Sequence, residues 1–231
     1  MSKENIEIFS NIADNYDTVN RIISLGMDIG WRRKLAHICL SGKKNIRVLD
    51  AATGTADIPI IITEEANKSS KRAEIVGMDY TKRMLDVGKQ KVKRKGFGNI
   101  KLVLGDAHRT GLRSNSFDCV TTGFALRNFD NLQKFINESY RILKPGGSIV
   151  FLEVSRPEAG FSAISWPYYH IFIPFVGMMY SRRSYAHLVS TVWKFDKDKL
   201  GKMAEKAGFT DVKVHRLFLS VAFIFIATKP G

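Results

Sequence analysis

Short runs of apolar and β-branched residues recur along the chain, separated by longer stretches with helical spacing. The runs are Ile46 to Asp50, Glu74 to Asp79, Ile100 to Gly105, Phe117 to Thr122 and Ser148 to Glu153. Bounded by turn-forming residues, they read as buried strands. Helical patterns cover roughly 56 to 66, 81 to 95 and 131 to 143, the last followed by the turn Pro145-Gly146-Gly147. Parallel strands need crossover connections, so this alternation predicts an α/β fold with a doubly wound, mostly parallel sheet.

The ends of the chain depart from that rhythm. Residues 5 to 17 and 19 to 40 carry helical spacing, with Trp31, Leu35 and Ile38 on one face, and predict an N-terminal helical cap over 1–40. After Glu153 an aromatic, proline-bearing stretch runs from Phe161 to Tyr185, too long for an ordinary connection. It predicts an insertion or lid over 161–195, after the fifth strand. A helix at about 196 to 207, stopped by Gly208, then leads into Val212 to Leu217 and Val221 to Thr228, which predict a terminal antiparallel hairpin.

Composition narrows the class. At 231 residues, 45% hydrophobic and 25% charged, the chain reads as one globular domain over 1–231 rather than a disordered or fibrous protein. Cys39 and Cys119 are few and far apart, so neither a disulfide framework nor a metal site is expected. The start, MSKENIEIFSN, lacks the basic-then-apolar order of a signal peptide, which predicts a cytoplasmic protein. The longest apolar runs, Ile171 to Tyr180 and Leu217 to Ala227, are short of the ~18–20 residues a spanning helix needs. A net charge of +14, partly gathered at Lys89, Lys91, Lys93, Arg94 and Lys95, suits either a polyanion, including an anionic lipid surface, or a solvated helix end.

Candidate chemistry lies at the strand ends. The strand ending in Asp50 turns through Ala51-Ala52-Thr53-Gly54-Thr55-Ala56, whose small residues let backbone approach a ligand. Asp79 ends the next strand, 25 residues after Gly54, where a carboxylate accepts both hydroxyls of a ribose. Asp106 follows the third strand and is placed to accept an adenine amino hydrogen. Helix capping is the bland alternative for these acids. A pyrophosphate would call for G-x-G-x-x-G, whereas this turn has one glycine and a nearby acid, Asp57, which suits the ammonium of a methionine. The ligand expected is S-adenosyl-L-methionine, leaving as S-adenosyl-L-homocysteine.

Six segments then resemble one family, the menaquinone and ubiquinone biosynthesis C-methyltransferases of the UbiE, MenG and COQ5 type. They are FSNIADNYDTVNRIISLGMDIGWRR (9 to 33), VLDAATGTAD (48 to 57), FALRNFDN (124 to 131), RILKPGGSIVFLEVSRP (141 to 157), IPFVGMMYSRRSYAHLVSTVWKF (173 to 195) and KMAEKAGFTDVKV (202 to 214). The resemblance implies a Rossmann-like class I methyltransferase fold and methyl transfer to a ring carbon of a polyprenylated quinol. Tyr16, Ala52, Gly54, Thr55, Asp79, Tyr80, Asp106, Ala107 and Gly123 are the cofactor-binding residues expected, and Arg127 and Tyr16 the catalytic ones. Three positions depart from the family pattern: Ala56 replaces glycine, Asp106 a frequent asparagine, and Gly123 a serine whose loss is expected to open the pocket. The last strand, LFLSVAFIFIA, lacks the family's glycine turn and histidine.

A quinol ring carbon becomes nucleophilic as a ring hydroxyl loses its proton, so a cation beside the forming phenolate assists. Arg127 is placed for that role, with a salt bridge to Asp130 as its structural alternative. Tyr16 and Asp17 are read as closing over the cofactor, or as a helix start. Tyr169, His170 and Tyr185 are candidates for the quinol head, and Ile164 to Tyr180 for a groove taking the isoprenoid tail. Expected partners are the quinol and the inner face of a membrane, with a homodimer entertained and no nucleic acid. Competing readings are another small hydrophobic or phenolic acceptor, an RNA methyltransferase supported only by charge, and a binding subunit without turnover.

Overall fold

The computed structural model describes residues 3–154, 198–217 and 221–231, together with isolated positions 171, 175, 176, 191 and 196. The expected insertion over 161–195, with Tyr169, His170 and Tyr185, therefore lies outside the described residues. Three helices open the chain: α1 (Lys3–Ile12), α2 (Tyr16–Ile23) and α3 (Met27–Cys39). Then β1 (Asn45–Ala51), α4 (Asp57–Lys68), β2 (Arg72–Asp79), α5 (Lys82–Lys95), β3 (Ile100–Leu104) and β4 (Phe117–Gly123) follow. A 3-10 turn, Leu126–Asn128, precedes α6 (Leu132–Ile142), β5 (Leu143–Val154), α7 (Asp198–Ala207), β6 (Thr210–Leu217) and β7 (Ala222–Thr228).

The strands form one seven-stranded sheet in the order β3-β2-β1-β4-β5-β7-β6. The first five are parallel, and β7 pairs antiparallel with both β5 and β6, as the alternation and the expected hairpin require. Successive side chains of a strand face opposite sides. On β1, Ile46 and Val48 enter the cluster under α3, α4 and α5, while Leu49 and Ala51 enter the one under α6 and α7. Strands buried on both faces in this way read as unbroken apolar runs. The order reverses between β1 and β4, and in open α/β sheets the crevice at the carboxyl side of that reversal is where ligands bind.

Three elements differ from expectation. The helix expected over 5 to 17 stops at Ile12, and α2 begins at Tyr16 with Asp17 in its first turn. The helix expected over 19 to 40 breaks, because Leu25 (φ 52°) and Gly26 (φ 76°) are left-handed and the Gly26 N–H returns to the Arg21 carbonyl at 2.7 Å. The turn Pro145-Gly146-Gly147 lies inside β5 as an irregular bulge: β4 advances from Phe117 to Cys119 while β5 advances from Leu143 to Ser148. A side chain at Gly147 would meet the Lys144 carbonyl oxygen at 2.8 Å. Cys39 and Cys119 are buried free thiols, and burial with the neighbouring Cys119 pushes the Cys39 thiol well up. Among the described residues no helix is long and apolar enough to cross a membrane.

Candidate active site

The turn after β1 is built around two carboxylates with different duties. Asp50 is fully buried, its oxygens accepting the Thr53 hydroxyl at 2.6 Å and the Thr121 hydroxyl at 2.7 Å, so it ties the turn to β4 instead of facing a ligand. Burial lifts its carboxyl to about 7. Asp79 does reach the crevice. It accepts the Gly54 N–H at 2.8 Å on one oxygen and the Thr81 N–H at 2.7 Å on the other. Burial pushes its carboxyl up against the opposing pull of those N–H groups.

Two adjoining pockets share Ala52 and Asp79 and form a trough along the carboxyl edge of the sheet. Tyr16, Gly54 and Gly123 line the first; Tyr80, Asp106 and Ala107 line the second. The central acid thus has a pocket on each side. Asp79 is an acceptor at the edge of both pockets, with small residues around it, and the residues fit an adenosine-bearing cofactor. The backbone is strained here: Ala52 (φ 52°) and Phe124 (φ 60°), both non-glycine, sit left-handed on the wall.

At the second pocket, one Asp106 oxygen accepts the His108 N–H at 2.9 Å and pairs with His108 Nδ1 at 2.7 Å, leaving the other for an adenine amino group. Partial burial would raise the Asp106 carboxyl, but the His108 contacts outweigh it and hold it low. His108 packs its edge on Phe129 with centroids 5.2 Å apart. Sequence reasoning missed both residues. Phe9, Met84, Phe124 and Asn128, which line the first pocket, were missed too, although Phe124 and Asn128 flank Arg127 in the quoted FALRN segment.

Two expected cofactor contacts are engaged elsewhere. The Thr55 hydroxyl donates to Asp17 at 2.6 Å, and Lys91 Nζ reaches Asp17 at 2.6 Å and Thr55 at 3.3 Å. Neither pocket is lined by Thr55. Asp57 is held by Lys91 and by Arg21 at 2.7 Å, with Arg32 at 3.9 Å. Burial opposes its ionisation, yet Arg32, Lys91 and Arg21 outweigh it and bring the carboxyl down to about 2. Asp57 is therefore spent on these cations and does not face a methionine ammonium. The network instead fastens α2, whose first residue Tyr16 lines the trough, to α4 and α5. Burial raises the Tyr16 hydroxyl, with Asn20, Arg32 and Arg127 pulling it back.

Gly123 lines the first pocket without widening it. A Cβ built there would lie 2.5 Å from Ile58 Cδ1, so the isoleucine already fills the space a serine would use. Next to it, Arg127 on the 3-10 turn pairs with Glu153 at the end of β5, and both are buried (6% and 0% exposed). A salt bridge is the structural alternative for Arg127, and the partner found is Glu153. Of the basic run on α5, Lys91 turns inward while Lys89, Lys93, Arg94 and Lys95 remain exposed.

Comparison with known proteins finds relatives along nearly the whole chain. The demethylmenaquinone methyltransferase of Bacillus velezensis is 38% identical over 226 residues, covering 96% of this chain and 95% of its own. That of Bacillus subtilis is 37% identical over the same coverage. Phosphoethanolamine N-methyltransferase 2 of Haemonchus contortus, solved with S-adenosyl-L-methionine, shares the fold with a TM-score of 0.65 at 16% identity, over 87% of this chain and 53% of its own. The profile of the ubiE/COQ5 methyltransferase family matches residues 2–229. The chain belongs to that family and is an S-adenosylmethionine-dependent methyltransferase.

Proposed function

We propose that the chain methylates a ring carbon of a polyprenylated quinol, a demethylmenaquinol or close relative, in quinone biosynthesis. The observation that carries the substrate class is the full-length likeness to demethylmenaquinone methyltransferases. The trough, with Asp79 at its centre, supports binding of the methyl donor there.

The cofactor supplies a methyl group already activated on a sulfonium, so the protein has to align the partners and exclude water. Asp79 would hold the ribose, Asp106 and Ala107 the adenine, and Tyr16 with Phe9 the cover; their rings meet edge to face at 6.2 Å. Arg127 would stabilise the phenolate that forms as a ring hydroxyl loses its proton. By composition, the aromatic and proline-bearing stretch Ile164 to Tyr180 suits an isoprenoid tail. The exposed cations of α5 suit peripheral contact with an anionic membrane surface.

Incubation with labelled cofactor and, separately, a short-chain prenylated naphthoquinol, a simple phenol and total RNA tests the reading. Label is expected in the naphthoquinol. Label confined to the phenol would replace the acceptor class, and label confined to RNA would end the proposal.

A further inference from the structure

Glu153 is fully buried beside the site, as Asp50 is, but its pairing leaves polar atoms unmatched. It ends β5, one strand from Gly123: Gly123 pairs with Leu152, and the Phe124 N–H donates to the Leu152 carbonyl at 2.7 Å. Glu153 therefore stands at the carboxyl edge next to the pocket wall formed by Gly123 and Phe124. Its Oε1 accepts Arg127 and its own neighbour's N–H, from Val154 at 2.9 Å. Its Oε2 is buried with no hydrogen-bond partner among the described residues, and so is Arg127 Nε. Each such orphan costs about 1–3 kcal/mol, so a pair that leaves two of them is a poor stabilising device. One acceptor and one donor left over on the same ion pair match a hydroxyl, which is both donor and acceptor.

We propose that Glu153 is the proton acceptor of the reaction, taking the proton from a ring hydroxyl of the bound quinol in a site shared with Arg127. The inference rests on the quinol reading above. The quinol O–H bond breaks and its proton goes to Glu153 Oε2. The electron pair released into the ring lets the ring carbon bond to the donor methyl, and sulfur keeps the pair of the broken C–S bond. The hydrogen on the methylated carbon leaves as a proton to solvent, restoring the aromatic ring as its phenolate, and Glu153 returns its proton to that oxygen, which regenerates both the quinol and the carboxylate. Throughout the proton transfer Arg127 keeps one anion beside it, first the carboxylate and then the phenolate. No net charge is created in the buried site.

The surroundings favour a proton acceptor over a permanent anion. Burial raises the Glu153 carboxyl, while Arg127 and the N–H groups of Val154, Arg127 and Leu126 draw it down. Across the sheet, β7 sets Phe223 opposite and β4 contributes Thr122 and Gly123. On α3, which packs against β5, Arg32 and Asp28 are paired with each other, and α2 brings Tyr16 near Arg127.

Glu153→Gln keeps the shape and removes the base; Glu153→Asp keeps the base. With a reduced short-chain prenylated naphthoquinol, the wild type should gain turnover as pH rises through a limb above the ordinary carboxylate range. Glu153→Gln should lose about 100-fold or more in kcat together with that limb, and Glu153→Asp should regain part of both. S-adenosylhomocysteine affinity, measured by calorimetry, should stay unchanged in all three. A second readout needs no turnover: the absorbance of 2-prenyl-1-naphthol bound beside S-adenosylhomocysteine should show naphtholate with the wild type and not with Glu153→Gln. Equal naphthol ionisation in the two proteins, or a Glu153→Gln kcat within about threefold of wild type, overturns the proposal. So does loss of S-adenosylhomocysteine binding in both variants, which marks a structural role. A wild type that binds S-adenosylhomocysteine but leaves the naphthoquinol unmethylated sinks the substrate reading instead, and the naphthol spectra still decide Glu153.

Discussion

Replacing Asp79 with asparagine tests the centre of the trough with the smallest possible change. The carboxylate accepts N–H groups on both oxygens, from Gly54 and from Thr81. An asparagine must turn its NH2 toward one of them, leaving a buried donor unpaired at a cost of about 1–3 kcal/mol in stability. The cofactor loses more specifically. Hydrogen bonds to a charged acceptor are worth about 1.5–3 kcal/mol each; losing one and weakening a second removes about 2–4 kcal/mol, or ~30- to 1000-fold in Kd. Calorimetry with S-adenosylhomocysteine and its 2′-deoxy analogue separates the two effects. Deleting the 2′-hydroxyl should weaken binding to the wild type and make little difference to Asp79→Asn, while urea unfolding reports the stability loss independently. Unchanged affinity in a folded variant, or the same 2′-deoxy penalty in both proteins, would refute the placement of the ribose. Because the folded Asp79 carboxyl is raised and its ionised form is the better acceptor, wild-type affinity should also weaken as pH falls through that raised value.

Other perturbations have equally definite outcomes. With the folded Asp50 carboxyl at about 7, the native state holds a proton that the unfolded chain has released, so stability from this group falls as pH rises from the ordinary carboxylate range through 7. Between pH 6 and 8, Asp50→Asn should therefore gain on the order of 1 kcal/mol relative to wild type, read from denaturant midpoints; parallel pH curves would contradict this. Gly123→Ser should destabilise by about 1–3 kcal/mol because of Ile58 Cδ1, and adding Ile58→Val, which deletes that atom, should recover most of the loss in thermal melts. Lys91→Met should speed amide exchange in α2 and couple with Asp17→Asn by about 1–3 kcal/mol in a double-mutant cycle. Arg127→Met should cost about 3–5 kcal/mol by stranding Glu153, whereas Arg127→Met with Glu153→Leu should fold nearly as well as wild type yet stay inactive.

The parts legible in the sequence are those written locally. Unbroken apolar runs betray strands where both faces are buried, as in β4, β7 and the second half of β5, whereas the more exposed edge strands β3 and β6 are marked by β-branched residues between turns. Asp79 was legible because its role depends on a strand end and a turn close by in the chain. Partnerships across elements were not. Asp57 looks like a free acid beside the turn until the fold brings Arg21 and Lys91 to it, and Thr55 is drawn to Asp17 by the same packing. Glu153 reads as the polar end of an apolar strand, and only the β4–β5 register sets it beside Arg127. Gly123 suggested an enlarged pocket because sequence does not show that Ile58, at the start of α4, takes up the room. The break at Leu25 escaped notice because a leucine in the left-handed region has no sequence signature of its own.

The central claim is carbon methylation of a quinol, and the bond formed tests it most directly. A reduced prenylated naphthoquinol would be incubated with the enzyme and cofactor carrying a carbon-13 methyl, oxidised to the quinone, and its methyl resonance assigned by nuclear magnetic resonance. The account predicts a methyl on a ring carbon that survives oxidation. A methoxy resonance, or label absent from the quinone fraction while the enzyme consumes cofactor, would contradict it.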